Sequence, residues 1–554
     1  MRRYDYHDGA ANMQYNLKYK ISPLYNRGTW SSIIKRLWGR LWGGNAPDPY
    51  LALLASAIGL LMAVPVLYVI WRSLFAGAER WTRLLDTRIP ALMQNTLSIT
   101  VATTLLSIVL GVSLAWLVYR CDLPGRHLWQ WVLAIPLVIP PYVGAVAYIM
   151  LLGPTGWVRD LLGAAPVDIY SFGGVLFVLL MFKFPYVFLI CGAALKRMNS
   201  SYEDTARSVG MGTWEMFWKV NFPFLRLAIG AGAILTSLCV LSEFGVIALM
   251  RYNTFTSAIY YQMESYDNIS ATVLSFPLIA LTLLFLWLEF LSRKKQKFYQ
   301  TTNNFRKAET IKLGRWKPLA FFWVGSVFLL SVLLPLSVLV YWSVFGLAGG
   351  ALDSSFWGYA LNSIKVAGLA TLMSMLLALP VVYLKSRYPS LLSAVISKIS
   401  SSGYALPGVI VALGIIFLFN QYIPWLYNTF FLVAVAYLVR FFPQTLQYGE
   451  ASLNLISPRI DEAARSLGYP SRKVLFRVII PLLRPGLLAG GALVFVSSLK
   501  ELPATLLLRP PGFDTLAVRV WVEASEAVYH LAAPAALLIV LVSILPLKLM
   551  LSKY

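Results

Sequence analysis

Charged side chains are scarce in this chain. They make up 13% of its 554 residues, against about 25% in an ordinary soluble domain. With 58% of the residues hydrophobic, a water-soluble globule is excluded and a polytopic membrane protein is expected. Cysteine is nearly absent: Cys121, Cys191 and Cys239 are odd in number and lie in or beside apolar segments, so they read as free thiols and no disulfide framework is implied. The histidines, His7, His127 and His530, are scattered without metal-ligand spacing. The dipeptide Gly-Lys does not occur, so the chain has no phosphate-cradling G-x-x-x-x-G-K-[ST] loop of its own. No nucleophile–base constellation stands out, which disfavours a membrane enzyme. Acidic residues are few, 24 against 47 Lys and Arg, for a net charge of +23. The basic residues gather in alternate loops, which argues for membrane topology and against nucleic acid. The N-terminus is polar for about 50 residues, so no cleavable signal peptide is expected.

Long apolar runs are abundant. Twelve stretches of about 20 residues, the length needed to span, fall near 50–74, 92–119, 128–152, 172–195, 227–250, 272–292, 318–345, 361–384, 400–419, 427–447, 485–508 and 532–551. With the N-terminus inside, the loops on the cytoplasmic side hold roughly 35 Lys and Arg and the outer loops roughly 8. Both termini are then cytoplasmic, as is the basic linker 293–317. Ahead of the first span, Trp30, Ile33, Ile34, Leu37, Trp38, Leu41 and Trp42 form a helical apolar stripe opposite Lys35, Arg36 and Arg40. That stripe predicts an interfacial amphipathic helix over 30–42.

Two polar stretches interrupt the apolar pattern, and they match each other. Ser457–Pro485 reads SPRIDEAARSLGYPSRKVLFRVIIPLLRP and Ser201–Arg226 reads SYEDTARSVGMGTWEMFWKVNFPFLR. Asp204, Ala206, Gly210 and Pro223 face Glu462, Ala464, Gly468 and Pro481 at a constant offset of 258. Ser457 is placed to cap a helix with Pro458, Asp461 and Glu462 in its first turn, and Gly468 to stop it. A second short helix, Arg472 to Ile480, is expected to end at Pro481. Upstream, Asn95-Thr96, Thr104, Ser107, Arg120 and Pro140 face Asn362-Ser363, Thr371, Ser374, Arg387 and Pro407 at offset 267. Two copies of a whole domain are indicated: 50–292 and 318–554. Six spans separate equivalent points, so the copies share one orientation and their symmetry axis lies along the membrane normal.

Glu462-Ala463-Ala464, Gly468 and Pro481 resemble the EAA loop of ABC-importer permeases of the type I fold. The first copy departs from that pattern at Asp204-Thr205-Ala206. The resemblance implies an all-α membrane protein of about 12 transmembrane helices in two parallel six-helix repeats. It also implies that Glu203, Asp204, Ala206 and Gly210, with Asp461, Glu462, Ala463, Ala464 and Gly468, dock two copies of a cytoplasmic ABC ATPase. ATP and Mg would sit on that partner, no cofactor being bound by this chain, and a periplasmic substrate-binding protein would deliver the solute at a bacterial inner membrane.

Glu243 and Glu501 match at offset 258 and fall within the fifth span of each half. A carboxylate placed in the membrane is costly and commonly faces a cavity or a partner. Glu243, Glu501 and the adjacent Lys500 are therefore candidate translocation-pathway residues, the two acids being candidate transient metal ligands; the alternative is that Lys500 merely neutralises Glu501. Lys500–Trp521 (KELPATLLLRPPGFDTLAVRVW) and Ser242–Tyr260 closely resemble the ferric-iron permease subfamily, which implies ferric iron as cargo. Thiamine, polyamine, phosphonate and sulfate permeases share the scaffold. A secondary transporter is the remaining alternative, suggested faintly by Arg120–Arg126 (RCDLPGR), but the EAA loops have no role in it.

Overall fold

The computed structural model describes Trp42 and residues 46–154, 156–163, 167–198, 201–294, 310–350 and 352–551. All of its regular structure is helical. Nine helices of the first half recur in the second: α1 Pro49–Leu74, α2 Ile89–Arg120, α3 Pro141–Leu152, α4 Phe172–Lys196, α5 Ser201–Ser208, α6 Phe222–Leu241, α7 Gly245–Leu249, α8 Phe255–Glu264 and α9 Asn268–Lys294, followed by α10 Leu334–Ala348, α11 Ser354–Arg387, α12 Gly408–Tyr422, α13 Phe430–Asn454, α14 Arg459–Ser466, α15 Ile480–Leu499, α16 Pro503–Leu508, α17 Leu516–Ser525 and α18 Tyr529–Leu551. Ten helical stretches are long and apolar enough to cross a membrane among the described residues. With α12 and α18 they give one helix at each of the twelve expected spans. The amphipathic helix expected over 30–42 lies outside the described residues except for Trp42, whose ring is buried in the protein core.

Prolines set where the helices depart from the expected spans. The third span does not run unbroken from 128. Pro136, Pro140 and Pro141 split it into Arg126–Val132, a 3₁₀ turn at Ile135–Leu137, and α3, because each ring removes a donor and crowds the preceding turn. The ninth is delayed to Gly408 by Pro407. Pro481, expected to end a short helix, does not. A π-turn at Leu475–Ile479 carries the chain from Ser471–Val474 straight into α15, and the same happens at Phe217–Asn221 ahead of Pro223 and at Leu329–Leu333 ahead of Pro335. In all three cases the proline lies two residues beyond the π-turn. The widened turn accommodates the proline's missing N–H and its ring without breaking the rod.

Each half is a bundle in which α2, α4 and α6, or α11, α13 and α15, pack together. Repeated polar contacts fix the bundles. Asn95 Nδ2 donates to the Asn253 carbonyl and Asn362 Nδ2 to the Asp514 carbonyl, at 3.0 and 3.1 Å; Thr96 Oγ1 accepts from the Phe255 amide and Ser363 Oγ from that of Leu516. The two hydroxyl bonds satisfy the first N–H donors of α8 and α17. The first helices bind the halves together: α1 packs on α11, α12 and Leu391–Ser400 of the second copy, and α10 on α3 of the first.

Candidate functional site

Glu243 and Glu501 stand at breaks, not within continuous helices. α6 stops at Leu241 and α15 at Leu499, and the chain resumes as α7 at Gly245 and α16 at Pro503. The expected spans 227–250 and 485–508 are thus each cut at the acid. A break inside an apolar layer is tolerable only where protein or a cavity satisfies the freed backbone groups. Here Thr256 Oγ1 donates to the Glu243 carbonyl and Thr505 Oγ1 to the Glu501 carbonyl, both at 2.7 Å. Glu501 Oε1 also accepts from the Ala504 amide at 3.2 Å, capping the start of α16. The two breaks adjoin: a methyl added to Gly245 would stand 3.3 Å from Leu502 Cδ2.

Both carboxylates line one cavity of about 240 Å³ between the halves, together with Tyr142, Lys183, Arg440 and Lys500. Each acid is already partnered. Lys183 Nζ on α4 lies 2.8 Å from Glu243 Oε2, the lysine buried and the glutamate only slightly exposed. Arg440 on α13 pairs with Glu501, which is 4% exposed. Lys500 does not neutralise Glu501, contrary to one sequence expectation. Adjacent residues point to different sides of the turn, and its ammonium reaches into the first half to donate to the Leu137 carbonyl at 3.1 Å.

The two polar loops form matched helix–turn–helix units. Gly210 and Gly468 adopt φ of +81° and +84°. At each, two reverse hydrogen bonds close the helix: Gly210 N to Arg207 O with Met211 N to Ala206 O, and Gly468 N to Arg465 O with Tyr469 N to Ala464 O. This left-handed cap strongly favours glycine. Ser457 Oγ accepts from the Arg459 amide at 3.4 Å, just ahead of α14. Glu203 and Asp461, expected to face a partner, point inward: Glu203 is clasped by Arg120, and Asp461 takes two bonds from Arg387, each at 3.1 Å. Asp204, Glu462, Ala463 and the two glycines are exposed, whereas Ala206 and Ala464 pack underneath. Beside the exposed acids, Val209 and its equivalent Leu467 are 68% and 80% exposed.

This duplicated fold matches the family described as "Binding-protein-dependent transport system inner membrane component" over residues 107–298 and again over 370–551. The chain belongs to that family. It is a multi-pass inner-membrane component of a transport system that works with a substrate-binding protein. It is 33% identical over 515 residues to the Fe(3+)-transport system permease protein FbpB 2 of Haemophilus influenzae, covering 92% of this chain and 99% of that protein. It is 22% identical to the ferric transport system permease protein FbpB of Actinobacillus pleuropneumoniae, over 68% of this chain and 58% of that one. The sulfate transport system permease protein CysW of Synechocystis matches 34% of this chain at 28% identity.

In this permease the sequence reading passed over Lys183, Arg440 and Tyr142. The first two had a usable signal, since a cation in the middle of an apolar span asks for a partner. Tyr142 had none: one tyrosine among 30 becomes distinctive only when its surroundings are known.

Proposed function

We propose that the permease carries ferric iron, delivered by a periplasmic binding protein, through the cavity that holds Glu243 and Glu501. The observation that carries this reading is the match to a Fe(3+)-transport permease along essentially the whole of both chains. The chemistry agrees, because a hard trivalent cation prefers oxygen donors. The energy comes from a separate ATPase, two copies of which dock at the exposed faces around Asp204 and Gly210, and around Glu462, Ala463 and Gly468. Val209 and Leu467 support this reading, since an exposed apolar residue at the same place in both copies suits a partner's cleft. Both loops and both termini lie on the cytoplasmic side in this reading, which the distribution of basic residues supports. Glu203 and Asp461 then serve to hold the docking helices.

The test is ATP hydrolysis by the reconstituted complex in proteoliposomes, stimulated in turn by binding protein loaded with ferric iron, thiamine, a polyamine or sulfate. Stimulation by the ferric form alone is expected. Sulfate is the second reading, favoured by the partial sulfate-permease relatives, and stimulation by sulfate-loaded protein alone would establish it instead.

A further inference from the structure

The span that opens the second half carries an apolar groove on its outer face. Its first part, Lys317–Phe328, belongs to the stretch Gly314–Ala348, which is long and apolar enough to cross a membrane. Pro318, Phe322, Gly325 and Leu329 recur at helical spacing along one side, and with Pro124 of the first half they line a groove of about 870 Å³. Phe322 is 72% exposed and Leu329 46%. A methyl built on Gly325 would meet nothing within 4 Å, so the floor is open. From Lys317 to Leu329 the helix rises about 18 Å at 1.5 Å per residue. That is close to half of a hydrocarbon layer about 30 Å thick, the depth of one leaflet. The groove ends where the π-turn begins, at Leu329. An apolar face at this depth is ordinary for a membrane helix. Its mouth is not.

Gly314 and Lys317 line that mouth. Lys312 and Arg315 flank Gly314 and are exposed, and Arg126 follows two residues after Pro124. Asp122 is the carboxylate of this neighbourhood, and Lys317 already holds it at 2.8 Å. Arg126, Lys312 and Arg315 have no carboxylate partner among the described residues. Trp316, 59% exposed, carries the Arg315 guanidinium 5.8 Å from its ring. An exposed tryptophan beside a cation at the end of a span marks headgroup depth. The chain leading to the mouth is basic as well: residues 293–317 hold nine Lys and Arg against one acid, Glu309. The first span has no such entrance, since from Asn45 to Ile70 it carries Asp48 and no Lys or Arg. We propose that this groove is a binding site for one anionic phospholipid, its phosphate held by Arg126, Lys312 and Arg315 and an acyl chain lying over Gly325. Basic pockets of this kind at the ends of membrane helices suit acidic headgroups. The lipid ties the first half, through Arg126, to the linker, and it does so whichever solute the permease carries.

Native mass spectrometry of the intact, delipidated permease reads the affinity for the first lipid bound. The titrants are dioleoyl phosphatidylglycerol and dioleoyl phosphatidylcholine, which share both chains and differ in headgroup charge. The wild type should bind the glycerol lipid at least tenfold more tightly. Lys312→Gln combined with Arg315→Gln alters two exposed side chains and should bring that affinity down to the choline level. Gly325→Phe fills the open floor and should weaken phosphatidylglycerol severalfold, whereas Gly368→Phe, at an equally open glycine on α11, should leave it unchanged. An unaltered thermal midpoint confirms that each variant is folded. Phosphatidylglycerol with a diazirine in its chain should crosslink within residues 318–329. Equal affinity for the two lipids in the wild type overturns the proposal and leaves an ordinary annular contact. Full phosphatidylglycerol binding in Gly325→Phe, or crosslinks confined to other helices, overturns it too, leaving attraction of headgroups to the basic linker without a groove.

Discussion

At the scale of single residues, the buried ion pairs set what can be changed. Arg440 and Glu501 are both mostly withdrawn from solvent, and removing one member of such a pair leaves an uncompensated charge that costs about 3–5 kcal/mol. Arg440→Met should therefore lower the thermal unfolding midpoint of the detergent-purified permease. Adding Glu501→Gln should recover most of that loss, since neither charge then remains, while ⁵⁵Fe uptake stays low. Equal instability in single and double variants would show that the guanidinium matters for packing and not for pairing. The acids of this site were legible in the sequence because Glu243 and Glu501 fall at the same repeat position. Their partners were not, because they are one residue out of step: 440 − 183 = 257, whereas the repeat offset is 258. Lys183 aligns with Phe441 and Arg440 with Phe182, so comparing the halves hides a function that both perform.

At the scale of elements, the polar loops were read well and their supports poorly. The glycine stops were foreseeable, since Gly468 precedes Pro470 after an amphipathic run. The onward path through Pro481 was not, because the residue pattern of a π-turn differs little from that of an ordinary helix. Gly468→Ala should cost about 1–2 kcal/mol locally through its left-handed backbone. Gly468→Pro is expected to abolish ATPase co-purification with membrane insertion intact, for it both forbids that φ and deletes the amide bonded to Arg465. Normal assembly in the proline variant would remove the loop from the docking role. A second element is the linker segment at 310–313, pinned to the end of α2. Ile311 exchanges backbone bonds with Arg120 and Asp122, the Leu313 amide donates to Asp122 Oδ1, and Lys317 lies 2.8 Å from the same carboxylate. Lys317, foremost, and the Leu313 amide hold the Asp122 carboxyl below its ordinary range. A depressed carboxylate stabilises above its unfolded pKa of about 3.9 and ceases to do so as pH falls through the lower folded value. Hydrogen exchange at Ile311 and Leu313, corrected for intrinsic rates, should thus stay slow from neutral pH to below about 4 and rise only under stronger acid. In Asp122→Asn it should be fast throughout.

At the scale of the whole molecule, the repeat was plain in the sequence and the exchange between its copies was not. Offsets of 258 and 267 reveal two domains, but they say nothing about which helices touch across the boundary. That is decided by surface fit. Gly414 on α12 comes so close to the Pro65 carbonyl of α1 that any side chain would meet the backbone, the close approach that small residues allow between membrane helices. In the other half, α3 in turn packs against α10. The covalent linker is then dispensable for assembly, because α1 and α10 already fasten each half to the other. Expressed as separate chains, 1–302 and 303–554 should both insert, since each keeps six spans and its own basic loops, and an affinity tag on one should retrieve the other. Removing residues 1–74 from the first fragment should abolish retrieval. Gly414→Leu in the second should weaken it severalfold by pushing α1 off α12. If the fragments co-purify equally well without α1, the halves are held by the cavity walls alone, and the crossed first helices contribute nothing to their union.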